Sequence, residues 1–600
     1  MIKFFVMFPK DILLKVSRPG RYINYELNAY HRNLNEVKLK FCLAYPDLYE
    51  VGMSNLGFRI IYDLLNQQPD ILCERAFLPW VDLECFLRKQ KLVLSSLESE
   101  IPLKNFDILG ISLHSELNYT GVLNLLNLGQ IPLLSEERKD NFPLIIAGGS
   151  ACFNPEPLAN FIDVFVIGEG EEVILEIVNI CKDRIKQIRD GEGRKELFLE
   201  LASLEGVYVP SLYNVEYTSE GKINKFYPLF PGIPQKIKKR IVIDLNNAPY
   251  PEKTVVPYIE IIHDRMGIEI MRGCPHRCRF CQARNIYYPR RERSPEKIKE
   301  LVWKNFLSSG YEEISLLSLS SLDHGKIKDI FSTLSRMFKN QGVGISLSSL
   351  RVNKVMKDLL KEYQGLPRTG LTFAPEAGSE RLRRIINKRI DLELLYEIAE
   401  DIFNSGWRSL KLYFMLGLPG ENGKDLKGIV EMAYKILMIK KRKQGNSGRI
   451  HLSFNTFIPK PHTTFQWLPL EEEKEWREKR DYLKGELKHR LLRYDFSNYA
   501  EDWLEALLSK GDRRLGEVIL KAWEKGARFE GWREQFNPSL WQEALKESKI
   551  DPYFYIYRKR ELSEIFPWDF IETGVSKEEL IMDYQAFEKY LALDNNSDFS

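Results

Sequence analysis

Residues 271–296 read MRGCPHRCRFCQARNIYYPRRERSPE. Cys274, Cys278 and Cys281 stand there in a C-x3-C-x2-C spacing, while the chain's other five cysteines (Cys42, Cys73, Cys85, Cys152, Cys181) are dispersed. Three thiolates on one short loop can ligate three corners of an iron–sulfur cube. No other cysteine lies in this half of the chain, so one iron is left open, as substrate chemistry at a metal requires. Gly273 suits a tight turn where the backbone approaches the cluster closely. The alternative is structural zinc on the three cysteines and His276. That set is awkward, because His276 falls between the first two cysteines and structural zinc draws paired ligands from separated knuckles. The dispersed five are expected to be reduced, buried, inert thiols.

Outward from the loop, the pattern is strand then helix. IEIIHDRMGIEIMRG (259–273), EEISLLSLSS (312–321), VGISLSSLR (343–351), TGLTFAPEAG (369–378), SLKLYFMLGLPG (409–420) and HLSFNTFIP (451–459) are strand candidates. Helical stretches such as SPEKIKELVWKNFLSSG (294–310) and DLELLYEIAEDIFNSG (391–406) separate most of them. Six β/α units predict a partial (β/α)6 barrel over 256–470, with the cysteine loop at the carboxyl end of its first strand, where barrels place their chemistry. Upstream, VKLKFCLAYP (37–46), FDILGISLH (106–114), FPLIIAGGSA (142–151) and IDVFVIGEG (162–170) alternate with amphipathic stretches. They predict a doubly wound parallel sheet over 38–185, apolar on both faces. The fold class is therefore α/β. Residues 1–37 read as a helical N-terminal segment, 186–255 as a connecting segment, and 471–600 as a mostly helical, charged C-terminal region whose Trp503, Trp523, Trp532 and Trp541 are core candidates.

Composition narrows the class further. With 44% hydrophobic and 28% charged residues over 600 positions, the chain is globular and too long for one core. A net charge of +3 gives no global field toward nucleic acid, though a local basic face remains open. There is no secretory-signal pattern and no apolar run near the roughly 20 residues a membrane helix needs. The expected location is cytoplasmic, without a membrane.

C-x3-C-x2-C with an aromatic residue before the third cysteine, here Phe280, is similar to the signature of the radical S-adenosylmethionine (SAM) superfamily. The resemblance implies a [4Fe–4S] cluster on Cys274, Cys278 and Cys281. Its open iron chelates SAM, and one-electron reduction cleaves SAM to methionine and a 5′-deoxyadenosyl radical. It also implies an electron donor such as flavodoxin or ferredoxin. SLSSLD (318–323) stands where the family carries a Gly-Gly-Glu motif, so Ser318 or Ser320 contacts SAM or forms a solvated turn. Arg351 pairs with the SAM carboxylate in a charge-assisted fork or forms a surface salt bridge. APEAGSERLRRIINK (374–388) resembles an element of methylthiotransferase-type members and places Glu376 beside SAM, with Ser379 and Glu380 read as helix caps. MLGLPGE (415–421) resembles the adenine-side motif through Gly417. In FNTFIPKPHTTFQW (454–467), Asn455 and Phe457 border SAM, while His462 is read as loop structure.

The first α/β unit resembles the cobalamin-binding Rossmann-like fold that often precedes such barrels. The D-x-H-x-x-G element of that fold appears here as Asp47-Leu-Tyr49-Glu-Val-Gly52, with phenol in place of imidazole, a poor substitute at cobalt. Ser112 or Ser115 and the pair Gly148–Gly149 also match. Three states stay open: cobalamin without a protein axial ligand, a different ligand in the same crevice, or an empty structural domain. The order of motifs from residue 40 to 590 resembles one bacterial family of about 600 residues that couples such a domain to the barrel. Its substrate is not supplied by the resemblance. Methyl or methylthio transfer is the variant it suggests, and the basic, aromatic C-terminal residues Arg513, Arg514, Arg528, Trp532 and Arg533 form a candidate nucleic-acid face that makes RNA a candidate acceptor. A non-catalytic Fe–S or zinc protein that binds a macromolecular partner is the alternative.

Overall fold

The computed structural model describes residues 10–138, 141–190, 193–363 and 365–597. The helical lead-in expected over 1–37 is not what residues 10–37 form. They make one helical turn, Lys10–Leu13, and two 3-10 turns, and residues 1–9 lie outside the described residues. The cause is tertiary. Arg21 is buried against Glu50, Asn24 donates to the Glu98 carbonyl, and the Trp80 amide donates to the Tyr22 hydroxyl. The segment is a strap on the first sheet, and packing overrides helix propensity.

That sheet contains β1 (Leu39–Tyr45), β2 (Ile71–Phe77), β3 (Ile108–Ser112), β4 (Leu144–Gly148), β5 (Val164–Val166) and β6 (Val207–Tyr208) in the order β2-β1-β3-β4-β5-β6. The first five are parallel and β6 is antiparallel. The doubly wound reading is correct, but the sheet runs past residue 185 into the expected connecting segment. β2 escaped sequence reading because Glu74 and Arg75 sit in its middle. Both are fully buried, and Arg75 pairs with Glu26 and Glu98. The strand order reverses between β1 and β3, and such a switch point opens a crevice at the carboxyl edge of the sheet.

The barrel is built from parallel strands in two sheets. Met266–Glu269, Glu313–Leu317 and Gly344–Leu347 form one; Thr372–Glu376, Ser409–Leu416, Arg449–Thr456 and Leu492–Phe496 form the other. A bridge between Leu350 and Phe373 joins them. All six expected strands are present. The seventh, Leu492–Phe496, pairs with Arg449–Thr456 and lies beyond the expected boundary at 470. Its sequence, LRYDF, exposes three consecutive polar residues, so no apolar alternation marked it.

The C-terminal region is helical, with helices such as Tyr499–Ser509, Leu515–Glu524 and Pro538–Glu547. It packs back onto the first sheet: Trp532 donates to Asp47 and Asn154 donates to the Ser509 and Gly511 carbonyls. Among the described residues no helix is long and apolar enough to cross a membrane.

Candidate active site at the domain junction

The cysteine loop leaves the first barrel strand at Gly273, whose φ of +79° and 2.7 Å clearance from the Pro289 carbonyl admit no side chain. All three cysteines are partly exposed. Burial raises Cys274 and pushes Cys281 up to about 11, and in both the neighbouring cysteine sulfurs add to the rise, so the thiols share one site. Among the described residues no three His, Cys, Asp or Glu side chains converge as the ligands of a single ion do. His276 is already engaged, its Nε2 2.7 Å from Asp323 Oδ2. This donor set does not fit tetrahedral zinc, which needs four ligands on one centre. Three neighbouring thiols held apart by a loop do fit three iron corners of a cube. Four of the dispersed cysteines are buried as expected, but Cys85 is exposed, on the outer side of the charged helix Val81–Gln90.

The strand ends converge on this loop. Arg351 Nη1 lies 3.8 Å from Cys278 Sγ, and its Nη2 donates to the Arg389 carbonyl. Glu376, at φ +65°, carries a backbone strain that persists only where surroundings enforce it. Its Oε1 is held 2.7 Å from Lys388 Nζ, and the Lys388 charge is felt at Cys281. Asn387 donates to the Arg277 carbonyl, and Arg279 is clamped by the Ile385 carbonyl and Asp583. The Ser318 hydroxyl accepts from the Ser320 amide at 3.2 Å and faces Ser321 Oγ at 3.0 Å, and the residue lines the cavity described below. Ser320 is 2% exposed and spends its hydroxyl on Asp323; it stabilises the loop rather than facing a ligand. Ser379 caps its helix as expected.

The Gly417 amide donates to Glu421, closing the turn after the Ser409–Leu416 strand. Asn455 is exposed at the end of Arg449–Thr456. Phe457 is only 2% exposed, in an apolar cluster with Phe465 and Trp467 against which Phe280 packs. It braces the site from behind. His462 is loop structure, its Nε2 2.8 Å from the Phe153 carbonyl. Sequence reading missed His276–Asp323, Lys388 and Asp583. The first two stand inside motifs already singled out, whereas Asp583 is more than 80 residues past the last barrel strand and carried no local signal.

Between the first sheet and the loop lies a cavity of about 520 Å³. Its walls are the apolar faces of β1, β3 and β4 and the helices Leu56–Asn66 and Gly170–Asp183. Its barrel end reaches Gly273, Ser318 and Ser348. Of the crevice residues expected from sequence, Ser112, Gly148 and Gly149 line it, and Asp47, Tyr49, Gly52 and Ser115 do not. Tyr49 is 1% exposed, its hydroxyl bonded to Glu26 and its ring against Phe77. Asp47 accepts from Trp532 and Asn118, and Ser115 caps a 3-10 turn. The cavity thus suits a bulky, largely apolar ligand, while a metal ligand from position 49 does not fit. The cavity and the barrel are locked together by Arg272, which pairs with Glu169, Glu171 and Glu269, and by Arg291 on Glu169.

The candidate nucleic-acid face is engaged internally. Arg513 pairs with Glu156 and Arg514 with Asp512, Arg528 covers Trp523, and Trp532 serves Asp47. Only Arg533 of that set is exposed.

An uncharacterised protein of Methanocaldococcus jannaschii is 29% identical over 485 residues, 80% of this chain and 90% of that one. The threonylcarbamoyladenosine tRNA methylthiotransferase MtaB of Thermotoga maritima is 22% identical over 43% of this chain and 58% of its own length. Among solved structures, the cobalamin-dependent SAM radical enzyme OxsB, with aqua-cobalamin and SAM bound, aligns over 99% of this chain and 86% of that one with a TM-score of 0.47 and 13% identity, a likeness too distant to assign a ligand. The sequence matches the family "Radical SAM proteins, N-terminal" over residues 57–210 and "Radical SAM superfamily" over 268–433. The first match takes in β2 to β6 and the second the barrel strands up to Ser409–Leu416, on either side of the cavity, and the chain belongs to the radical SAM superfamily, whose members carry a [4Fe–4S] cluster and bind SAM.

Proposed function

We propose that this protein is a radical SAM transferase that modifies an acceptor at the junction of its two α/β units, with a corrinoid cofactor in the 520 Å³ cavity. The observation that carries the reading is the continuity of that cavity. It runs from the switch-point crevice of the first sheet to Gly273 and Ser318 beside the cysteine loop, so a group held in the crevice meets whatever occupies the barrel mouth. When bound, cluster and SAM supply one-electron cleavage of a sulfonium, and a corrinoid supplies a methyl-carrying metal.

The chain's own residues supply placement. Cys274, Cys278 and Cys281 hold the cluster. Arg351, beside Cys278, offers a planar fork to a carboxylate, and Ser318 offers a hydroxyl at the cavity wall. Lys388 holds Glu376 at the mouth. Phe280, with the Phe457–Phe465–Trp467 cluster behind it, keeps that side dry. Ser112, Gly148 and Gly149 leave room for the corrinoid.

The acceptor reading is RNA, because barrel relatives are named as tRNA-modifying enzymes. Its entry is not through Arg513, Arg514 and Arg528, which are spent on internal partners. A recess of about 450 Å³ is lined by three arginines, Arg279, Arg384 and Arg389, against one carboxylate, Glu380, a net basic lining that suits an acidic electron donor such as flavodoxin or ferredoxin.

The test is anaerobic reconstitution, reduction and addition of SAM and hydroxocobalamin. The expected result is S-adenosylhomocysteine or 5′-deoxyadenosine together with a retained corrinoid absorption. A fully loaded cluster that turns over no SAM contradicts the reading and favours a non-catalytic Fe–S protein. Mass spectrometry of RNA from cells with and without the gene tests the acceptor.

A further inference from the structure

If position 49 cannot reach the cavity, its ligand meets other groups there. The carboxylates on the wall, Glu169, Glu171 and Glu269, are committed to Arg272 and Arg291. Asn55 caps a helix, its side chain accepting from the Phe58 amide. Among the described residues that line the cavity, one imidazole is present: His114, on the loop that follows β3.

The ring of His114 is fixed on three sides. Ser112 Oγ lies 3.1 Å from Nε2. Tyr45 stacks on its face at 6.3 Å between centroids with 13° between planes. Gly149 leaves space at its edge, where an added Cβ would stand 3.2 Å from Cε1. Ser150 Oγ has one proton, and the His114 carbonyl at 3.1 Å is a better acceptor for it than Nδ1 at 3.4 Å. With the Ser150 proton on the His114 carbonyl, the tautomer in which Nε2–H donates to Ser112 leaves the Nδ1 lone pair without a proton donor. One ring nitrogen anchored by a neighbour and the other left as acceptor is the state of a metal-binding histidine. Burial holds the ring neutral, with its pKa pushed down to about 4, so that lone pair carries no proton at neutral pH.

We propose that His114, through Nδ1, is the axial nitrogen ligand this protein offers to a corrinoid cobalt in the cavity, with Ser112 as its positioning residue. The assignment rests on the corrinoid reading above. It moves the ligand from the loop after β1 to the loop after β3, across the switch point, and explains how Tyr49 is free to serve the buried ion pairs instead.

The test is electron paramagnetic resonance of full-length, uniformly ¹⁵N-labelled protein loaded with natural-abundance hydroxocobalamin and reduced to the cob(II)alamin state. An axial ¹⁵N from the protein splits the high-field cobalt lines into doublets. The cofactor's own ¹⁴N base gives triplets, and no axial nitrogen leaves the lines unsplit. The expected result is doublets that disappear in His114→Ala and persist in Tyr49→Phe, with corrinoid absorption retained in both. Triplets or unsplit lines in the labelled wild-type protein overturn the assignment, and that measurement needs no variant. Doublets that survive His114→Ala overturn it equally. Protein that retains no corrinoid overturns the cavity reading and the His114 assignment with it, whereas corrinoid bound with unsplit lines overturns His114 alone.

Discussion

The two α/β units carry motifs of similar clarity at their first strand ends, yet they use them in opposite ways. In the barrel, the loop after the first strand faces the mouth, and Asp323 and Arg351 from later strand ends, with Lys388 from beyond the helix Glu380–Ile385, meet it. In the first sheet, the loop after β1 turns inward. Asp47 is held by Trp532 and Asn118, and Tyr49 joins Glu26, Arg75, Glu98 and Tyr62 in a buried ionic network. The ligand-facing work passes to the loops after β3 and β4. A motif's spacing therefore identifies the loop but not the direction its side chains take. Direction is set by what the rest of the chain supplies, here an N-terminal strap bearing Glu26 and a C-terminal region bearing Trp532.

That contrast can be broken in order of effect. Replacing Cys278 by Ala removes one of three cluster ligands; iron retention and SAM cleavage are both expected to be lost, read by iron assay and product chromatography, with the fold retained by circular dichroism. Next is the ionic network. Arg75 is 1% exposed and pairs with two carboxylates, so Arg75→Ala leaves both buried and unpaired, a loss of about 3–5 kcal/mol by denaturant titration. Loss below 1 kcal/mol would mean that Tyr49 and Glu26 are not held as described. Gly149→Ala is smaller. At φ +131°, with a Cβ only 2.2 Å from the Leu113 carbonyl, strain of about 1–3 kcal/mol is expected. Binding in the cavity should weaken, while cluster loading stays unchanged.

The smallest effect is on pH dependence. Glu530, from the C-terminal region, is bonded to Thr120 of the first unit, and burial pushes it up to about 7. Its folded state keeps a proton that the unfolded state releases near 4.5. Its contribution is therefore complete below about pH 4.5 and lost as pH rises to about 7. Burial lifts Glu74 and Glu421 to about 7 as well. Thermal stability should fall across that window, and Glu530→Gln should flatten the fall without removing it.

Much of this was legible in sequence for physical reasons. Fully covered parallel strands are apolar and end in glycine or polar residues, so both α/β units could be read, and three thiols in one loop admit few explanations. The misses share one cause. β2 and the seventh barrel strand carry charge where strands are expected to be apolar, and their charges are satisfied only by residues distant in sequence: Glu26 and Glu98 for Arg75, and Ser453 and His451 for Asp495. His114 went unread because nothing in the local sequence tells an imidazole lining a cavity from one filling a core. Ser320 and Phe457 were read as ligand contacts because strand-end position shows which residues are near a site, not whether their polar atoms or ring faces are already committed.

The central claim is that three thiolates leave one iron of a [4Fe–4S] cluster open to SAM. It is tested most directly by electron paramagnetic resonance of the anaerobically reconstituted, reduced protein before and after SAM is added. The account predicts a reduced-cluster signal whose g-values shift when SAM coordinates, and no such signal in Cys278→Ala. Stoichiometric zinc without iron, or a cluster signal indifferent to saturating SAM, would contradict it.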